Sequence, residues 1–172
     1  MGPTTYGEFK DLVRASKRAW HVEFRDTYNV ESEDEPFRRF LAGEHDSYDW
    51  LGEWLQFISK VTASGVAVQR MRLVSIPHCD YTRWGLTVAP HNIEAGEEIR
   101  YLPRTRTADL VPPAEDYWLL DDDTLVLSVF SDDGRQGGFA RETDPQLVAQ
   151  CRDTRDQLWP RAIPYDEYVR TY

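Results

Sequence analysis

The stretch from residue 115 to residue 143 restricts the fold more than any other part of the chain. Apolar runs rich in aromatic and β-branched residues alternate there with acidic turns, a pattern typical of strands joined by tight hairpins. These strands should form the floor on which the rest of the domain packs. We predict three consecutive antiparallel strands, at residues 117–120, 124–130 and 138–142, separated by turns at residues 121–123 and 131–134.

The first half of the chain has the pattern of a strand, a helix and a second strand. Apolar residues alternate over residues 20–24 and again over residues 66–75, and the second segment is the candidate for a central strand. Apolar side chains at helical spacing between them predict a long helix over residues 47–63, with its apolar stripe against the sheet. Elements in this order indicate a right-handed parallel crossover.

Capping and turn residues mark the shorter elements. The resulting element order, βαβαββββα, predicts an α/β domain of α+β character with a mixed sheet of about six strands and packed helices. Because the sequence has no repeat and no low-complexity linker, we expect residues 1–172 to form a single domain. The shorter predicted elements are a helix capped by Thr4 or Thr5, a helix at residues 36–42, a helix from an N-cap at Asp80 to residue 89 that Pro90 breaks, a strand at residues 98–102, a helix from Asp144 to residue 159, and a helical turn within residues 165–172.

Charge and cysteine content narrow the class of protein. The chain has 20 basic and 30 acidic residues, a net charge of -10 that repels phosphate backbones and disfavours direct nucleic-acid binding. No apolar run approaches the ~20 residues of a membrane span, and no signal peptide is evident, so we expect a cytoplasmic protein without membrane contact. Cys79 and Cys151 lack CxxC spacing, which favours reduced thiols, and no motif predicts a metal or other cofactor.

Polar and aromatic residues gather just after the predicted central strand. Ligands in open α/β sheets tend to bind beyond the carboxyl ends of the strands, so this segment is the first candidate site. His78 is a candidate base, or a metal ligand together with Asp80; in the alternative, Asp80 caps the next helix and its neighbours pack. The candidate residues are Ser75, His78, Asp80, Tyr81, Arg83 and Trp84.

Two further arginines follow this segment along the chain. Arg100 and Arg104 are candidates to converge with Arg83 on a carboxylate or phosphate ligand, because guanidinium groups bind both in a forked geometry. An anionic small molecule is therefore one expected partner. The acidic run at residues 121–123 lacks the calcium-loop pattern that would follow it, which favours a solvated turn.

The element order is similar to one half of a phospholipase D-like domain. Active members of that class carry H-x-K-x4-D, and the corresponding positions here are Asp116, Trp118 and Asp123. The spacing is kept, but the nucleophile and the cation are missing. The resemblance therefore implies a shared fold without the phosphodiester reaction, and it leaves Asp116 and Trp118 as ligand-contact candidates.

A second resemblance rests on residues 40–43, 72–84, 95–97, 99–100, 102–104 and 116–122, with Asn92, Trp159 and Ala162. In these residues the chain resembles an uncharacterised actinobacterial family of ~170-residue proteins encoded beside Xre-type helix-turn-helix regulators. It covers nearly the whole chain and implies a regulatory neighbourhood rather than a reaction.

The function expected from the sequence is a non-enzymatic regulatory module. It would sense a small ligand or dock onto a partner protein, such as a helix-turn-helix regulator or its small companion protein. The alternatives are an enzyme of unassigned reaction that uses His78, Asp80, Tyr81 and Arg83, and an antitoxin-like or effector protein. If the protein is an enzyme, we expect a closed polar cleft. If it is a regulatory module or an antitoxin-like or effector protein, we expect a stable complex with a partner. A homodimer is a further alternative.

Overall fold

A computed structural model describes residues 2–109, 115–131 and 134–172, and over these residues the chain forms one sheet flanked by helices. Its described strands are β1 (Gly2–Thr4), β2 (Arg18–Glu23), β3 (Ala67–Val74), β4 (Glu98–Pro103), β5 (Tyr117–Leu120), β6 (Thr124–Phe130), β7 (Gln136–Glu142) and β8 (Ile163–Pro164). Its described α-helices are α1 (Tyr6–Ala15), α2 (Asp34–Leu41), α3 (Gly52–Ala63), α4 (Asp80–Glu94), α5 (Pro145–Leu158) and α6 (Tyr165–Thr171). None of these helices is long and apolar enough to cross a membrane.

The sheet is mixed, which confirms the predicted fold class. Its strand order is β1-β7-β6-β5-β2-β3-β4-β8. The three strands β2, β3 and β4 are parallel and are connected through α3 and α4, whereas β5, β6 and β7 form the predicted antiparallel meander. Strand β3 lies between two parallel neighbours, as expected for a central strand.

The two faces of the sheet differ in what covers them. On one face, Trp20, Met71 and Leu119 form an apolar core with residues of α5. On the other, Val68, Trp118 and Ile99 belong to cores completed by α1, α3, α4 and α6. Side chains alternate along a strand. His21, which follows Trp20 on β2, and Arg70, which precedes Met71 on β3, therefore point to the second face.

The prediction of about six strands is too low because two short edge strands complete the sheet. Strand β1 has three residues and pairs with β7, while β8 has two and pairs with β4. Segments this short contain no alternation from which a strand can be recognised. The predicted turn at residues 131–134 lies partly outside the described residues, because residues 132–133 are not among them.

The prediction that Pro90 ends its helix is wrong. Helix α4 runs through Pro90 to Glu94, and its N-cap is Cys79 rather than Asp80. Proline removes the N–H that would donate to the carbonyl four residues earlier, that of Leu86. The Tyr165 hydroxyl donates to this carbonyl at 2.9 Å, so the acceptor is satisfied by a contact from α6.

The other boundary differences are small. Helix α3 begins at Gly52 rather than at residue 47, after a 3-10 turn at Asp49–Leu51 that follows Tyr48 in the left-handed conformation. Of the two predicted caps of the first helix, Thr4 and Thr5, the structure has Thr5, and the predicted cap at Asp144 is confirmed; each side chain accepts a hydrogen bond from a backbone N–H of the first turn.

Candidate functional site

A cavity of about 500 Å³ lies between the second face of the sheet and the helices that cover it. Its floor is made by strands β2 to β7, and its walls come from α1, α3, α4, residues 50–51 and the segment of residues 28–33. Aromatic side chains dominate the lining, which suits flat organic ligands. The aromatic lining residues include Tyr28, Trp50, Trp54, Tyr81, Trp84, Tyr101 and Trp118.

The floor of the cavity carries buried ion pairs. Parallel pairing of β2 with β3 places His21 opposite Arg70 and Glu23 opposite Arg72. Arg70 donates to Glu97 twice, from Nε at 2.8 Å and from Nη2 at 2.5 Å, and Glu97 is only 2% exposed. Burial acts to lower the pKa of Arg70, but Glu97 and Glu23 raise it on balance.

Arg72 is the least satisfied group of this floor. Its Nε lies 2.5 Å from Glu23 Oε2, an ion pair that lacks the alignment of a hydrogen bond. Neither of its terminal nitrogens donates a hydrogen bond to any residue that the structure describes, although the residue is only 7% exposed. Burial acts to lower the pKa of Arg72, but the Glu23 carboxylate raises it on balance, so the fork stays charged.

Helix α4 passes close to the Arg72 fork. A Cβ atom at Gly85 would lie 2.4 Å from Arg72 Nη1, so the absence of a side chain at Gly85 leaves room for the guanidinium. The Arg72 Cζ atom lies 5.7 Å from the centre of the Tyr81 ring and 5.8 Å from that of Tyr28. The fork is therefore held between the sheet, the helix and two aromatic rings.

Two carboxyl groups of the lining are each bonded to a tyrosine. The Tyr81 hydroxyl donates to Glu33 Oε2, and burial raises the pKa of the Glu33 carboxyl. Asp116 is 1% exposed and accepts from the backbone N–H of Phe24 at 2.8 Å and from the Tyr28 hydroxyl at 2.5 Å. Burial raises the pKa of Asp116 to about 6.

His21 is neutral at physiological pH. Its ring stacks on Trp118 at 4.2 Å between centroids, and its Nδ1 lies 3.7 Å from Glu23 Oε1. Burial lowers the pKa of His21 to about 3. The buried charges of the floor are therefore those of Arg70 and Arg72 with Glu23 and Glu97.

Four of the residues predicted from the sequence meet at this cavity. They are Tyr81, Trp84, Asp116 and Trp118. At the H-x-K-x4-D positions, Asp116 is fixed by Tyr28 and Phe24, and Trp118 is stacked on His21.

Three other predicted residues form a corner at the carboxyl end of β3. Ser75 donates to Asp26 from its backbone N–H at 2.8 Å and from Oγ at 2.7 Å, and Arg104 Nε donates to Ser75 Oγ at 3.2 Å. His78 Nδ1 lies 2.9 Å from the Ser75 carbonyl, and Nε2 lies 2.9 Å from the Tyr168 hydroxyl. Both ring nitrogens of His78 are thus engaged within the protein.

The three arginines expected to converge have separate partners. Arg83 pairs with Asp80 on the exposed side of α4 and donates to the His78 carbonyl. Arg100 lies on the opposite face of the sheet, with its Cζ 4.2 Å from the centre of the Trp159 ring. Arg104 contacts the Ser75 and Asp26 corner, so the structure gives these arginines no common ligand position.

Sequence reasoning missed the charged floor. His21, Glu23, Arg70 and Arg72 occupy alternate positions of two otherwise apolar strands, and this was the available signal, because charged residues on a covered face require partners. Glu97, the partner of Arg70, comes from the loop between α4 and β4, which no local pattern connects to the strands.

The acidic turn at residues 121–123 has structural contacts. Asp121 Oδ1 accepts from the backbone N–H groups of Lys17 and Arg18, and Asp122 pairs with Arg155. Among the residues described, no three His, Cys, Asp or Glu side chains cluster in an arrangement that could hold a metal ion.

Fold and site together define a class: a mixed α/β domain whose sheet carries buried ion pairs beneath an aromatic-walled cavity. Comparison with known families assigns it further. The chain belongs to the family described as a domain of unknown function, DUF6879, which matches residues 7–170. No curated protein matches the chain.

Proposed function

We propose that this protein is a non-enzymatic regulatory module that binds a small ligand in the aromatic cavity. The observation that carries the proposal is Arg72, a buried guanidinium whose terminal nitrogens reach the cavity without an acceptor among the described residues. A hydrogen bond to a charged group contributes about 1.5–3 kcal/mol. A ligand that places an acceptor on these nitrogens therefore binds more tightly than a ligand of the same shape without one.

The shape of the cavity supports the same function. Its volume of about 500 Å³ lies within the range of roughly 300–1,000 Å³ that small-molecule sites occupy. The Trp50 and Trp84 rings stack at 5.6 Å, and Asp46 and Asn92 hold the indole N–H groups of Trp50 and Trp54. The walls are therefore fixed before a ligand arrives, which lowers the entropic cost of binding.

The placement of the catalytic candidates favours binding over reaction. Both ring nitrogens of His78 contact other groups of the protein, and His78 does not line the cavity. The phospholipase D-like arrangement of the sheet, the cytoplasmic location and the setting beside a helix-turn-helix regulator remain part of this proposal, since they rest on resemblance and composition.

A pair of α4 variants tests the proposal. Val88 lines the cavity, so Val88→Trp should fill it, while Thr87→Trp places the same side chain on the exposed side of the helix. Both proteins and the wild type are screened against a library of aromatic and heteroaromatic fragments by thermal shift and tryptophan fluorescence.

The expected result is a set of fragments that stabilise the wild type and Thr87→Trp but not Val88→Trp. At a fragment concentration of 100 Kd the stabilisation is about 2.7 kcal/mol, which raises the Tm of a domain of this size by roughly 5–10 °C. Equal binding to Val88→Trp and Thr87→Trp, or no binding fragment in the library, would refute the proposal.

A further inference from the structure

The charges of the cavity floor restrict the ligand that it accepts. Arg70 is paired with Glu97 and Arg72 with Glu23, so the positive charges are already balanced. The other carboxyls that line the space are those of Glu33, Asp116 and Glu53; Glu53 pairs with Lys10, and Glu33 and Asp116 have no cationic partner within ion-pair distance among the described residues, so they repel an anion. The cavity therefore favours an uncharged ligand over a carboxylate or a phosphate.

The hydrogen-bonding groups are arranged as a donor edge and an acceptor edge. The donor edge is the Arg72 fork, and the acceptor edge is Glu33, which receives the Tyr81 hydroxyl at Oε2. Tyr81 contacts both edges, since Arg72 Cζ is 5.7 Å from the centre of its ring and its hydroxyl donates to Glu33. A ligand that satisfies both needs acceptors and N–H donors on different edges of a small ring system.

The aromatic walls favour a flat ring system. Trp84 contacts Trp50, stacked at 5.6 Å, and Tyr81, edge-on at 5.3 Å, and both Trp84 and Trp118 line the cavity. Bases of nucleic acids stack on such side chains in many proteins, with about 1–3 kcal/mol for each base. Flat nitrogen heterocycles combine this stacking with mixed donor and acceptor edges.

We propose that the cavity binds an uncharged, flat nitrogen heterocycle of the size of a purine base, with its acceptor edge on Arg72 and an N–H group on Glu33. The inference rests on the proposed function, since it names the ligand class of the same cavity. The Arg72 fork determines specificity, and Gly85 determines where the fork lies.

Two probes of the same shape test the ligand class. Hypoxanthine carries acceptors and N–H donors, whereas indole is a bicyclic ring with one N–H and without ring acceptors. Their affinities are measured by isothermal titration calorimetry with the wild type, and benzoate serves as the anionic comparison. We expect hypoxanthine to bind at least 10-fold more tightly than indole or benzoate, because a hydrogen bond to a charged group contributes this much.

Two glycine variants test the residue assignment. Gly85→Ala places a Cβ 2.4 Å from the present position of Arg72 Nη1 and must displace the fork, while Gly52→Ala, in α3, has no atom within 4 Å of the added carbon. Alanine favours the helix over glycine at both positions. We expect Gly85→Ala to weaken hypoxanthine binding at least 10-fold and Gly52→Ala to leave it within 2-fold, with unchanged circular dichroism in both.

A second substitution covers the case in which Gly85→Ala perturbs the fold. Arg72→Lys keeps a positive charge beside Glu23 but lacks the planar fork, so it should reduce the preference for hypoxanthine over indole. Equal affinity for hypoxanthine and indole, or full hypoxanthine affinity in both Gly85→Ala and Arg72→Lys, overturns the heterocycle proposal. If the heterocycle proposal fails in this way but Val88→Trp abolishes the binding of other fragments, the proposed ligand-binding function still holds. If no fragment binds the wild type, both the heterocycle proposal and the proposed function are refuted.

Discussion

The buried pair of Arg70 and Glu97 should be essential for stability. Glu97 has a fully buried carboxylate that accepts two hydrogen bonds from Arg70. Glu97→Gln keeps the size of the side chain and removes its charge. The remaining ion pair of Arg70 then joins its Nη1 atom to Glu23 Oε1 at 3.5 Å. Removing one partner of a buried pair costs about 3–5 kcal/mol, and the Glu23 contact places this variant near 3 kcal/mol.

Urea unfolding at pH 7, followed by tryptophan fluorescence, measures this loss. With a slope of about 2 kcal/mol per molar urea, the midpoint should fall by roughly 1.5 M. The matched control is Glu98→Gln, the neighbouring carboxylate, which is 45% exposed and pairs with Arg100. An exposed pair of this kind contributes about 0–1 kcal/mol, so the control should shift the midpoint by less than about 0.5 M.

A double variant separates the loss of charge balance from the loss of packing. Arg70→Met combined with Glu97→Leu removes both charges, and buried pairs replaced in this way are often neutral in stability. We therefore expect the double variant to regain most of the stability that Glu97→Gln loses. Equal shifts for Glu97→Gln and Glu98→Gln, or a double variant less stable than Glu97→Gln, would refute the reasoning.

Three further predictions concern single ionisable groups. The pKa of Asp116 is about 6 in the folded protein and 3.8 in the reference state, so the protonated carboxyl stabilises the fold at low pH. About 3 kcal/mol of the free energy of unfolding is lost as the pH rises through 6. Asp116→Asn should flatten the urea-derived stability profile between pH 4 and 6, and identical profiles would contradict this. The pKa of His21 is lowered to about 3, so its ring should keep the neutral NMR pattern from pH 8 to 4.5, with no inflection near 6.5. Burial raises the pKa of the Cys151 thiol to about 11, so in a Cys79→Ser background the folded protein should resist iodoacetamide at pH 8, and alkylation at the unfolded rate would count against its burial.

The elements with a local signature were predictable from the sequence. Alternation over residues 66–75 gave the central strand, and the side chains of Thr5 and Asp144 gave two helix starts. The continuation of α4 through Pro90 was not predictable, because the Leu86 carbonyl is satisfied by Tyr165, which lies far along the chain. Such compensation is a tertiary contact, and no window of sequence contains it.

The candidate site divides in the same way. The position of Tyr81 and Trp84 just after the central strand predicts a place near the site, and both line the cavity. The ion pairs were missed because their members are distant in sequence: the partner of Arg72 is Glu23, on the adjacent strand. Charge at an inward position predicts that a partner exists, but it does not predict which one.

The alternation of the sheet has an evolutionary consequence. Its α5 face is an apolar core, and its other face holds the ion pairs and the cavity, so residues one apart on a strand belong to different environments. Under the proposed ligand-binding function, relatives can diverge at cavity-facing positions, and thereby in the molecules they recognise, while the packing beneath α5 stays constant. Variation within the family that is confined to every second residue of the parallel strands would then record a change of ligand on an unchanged scaffold.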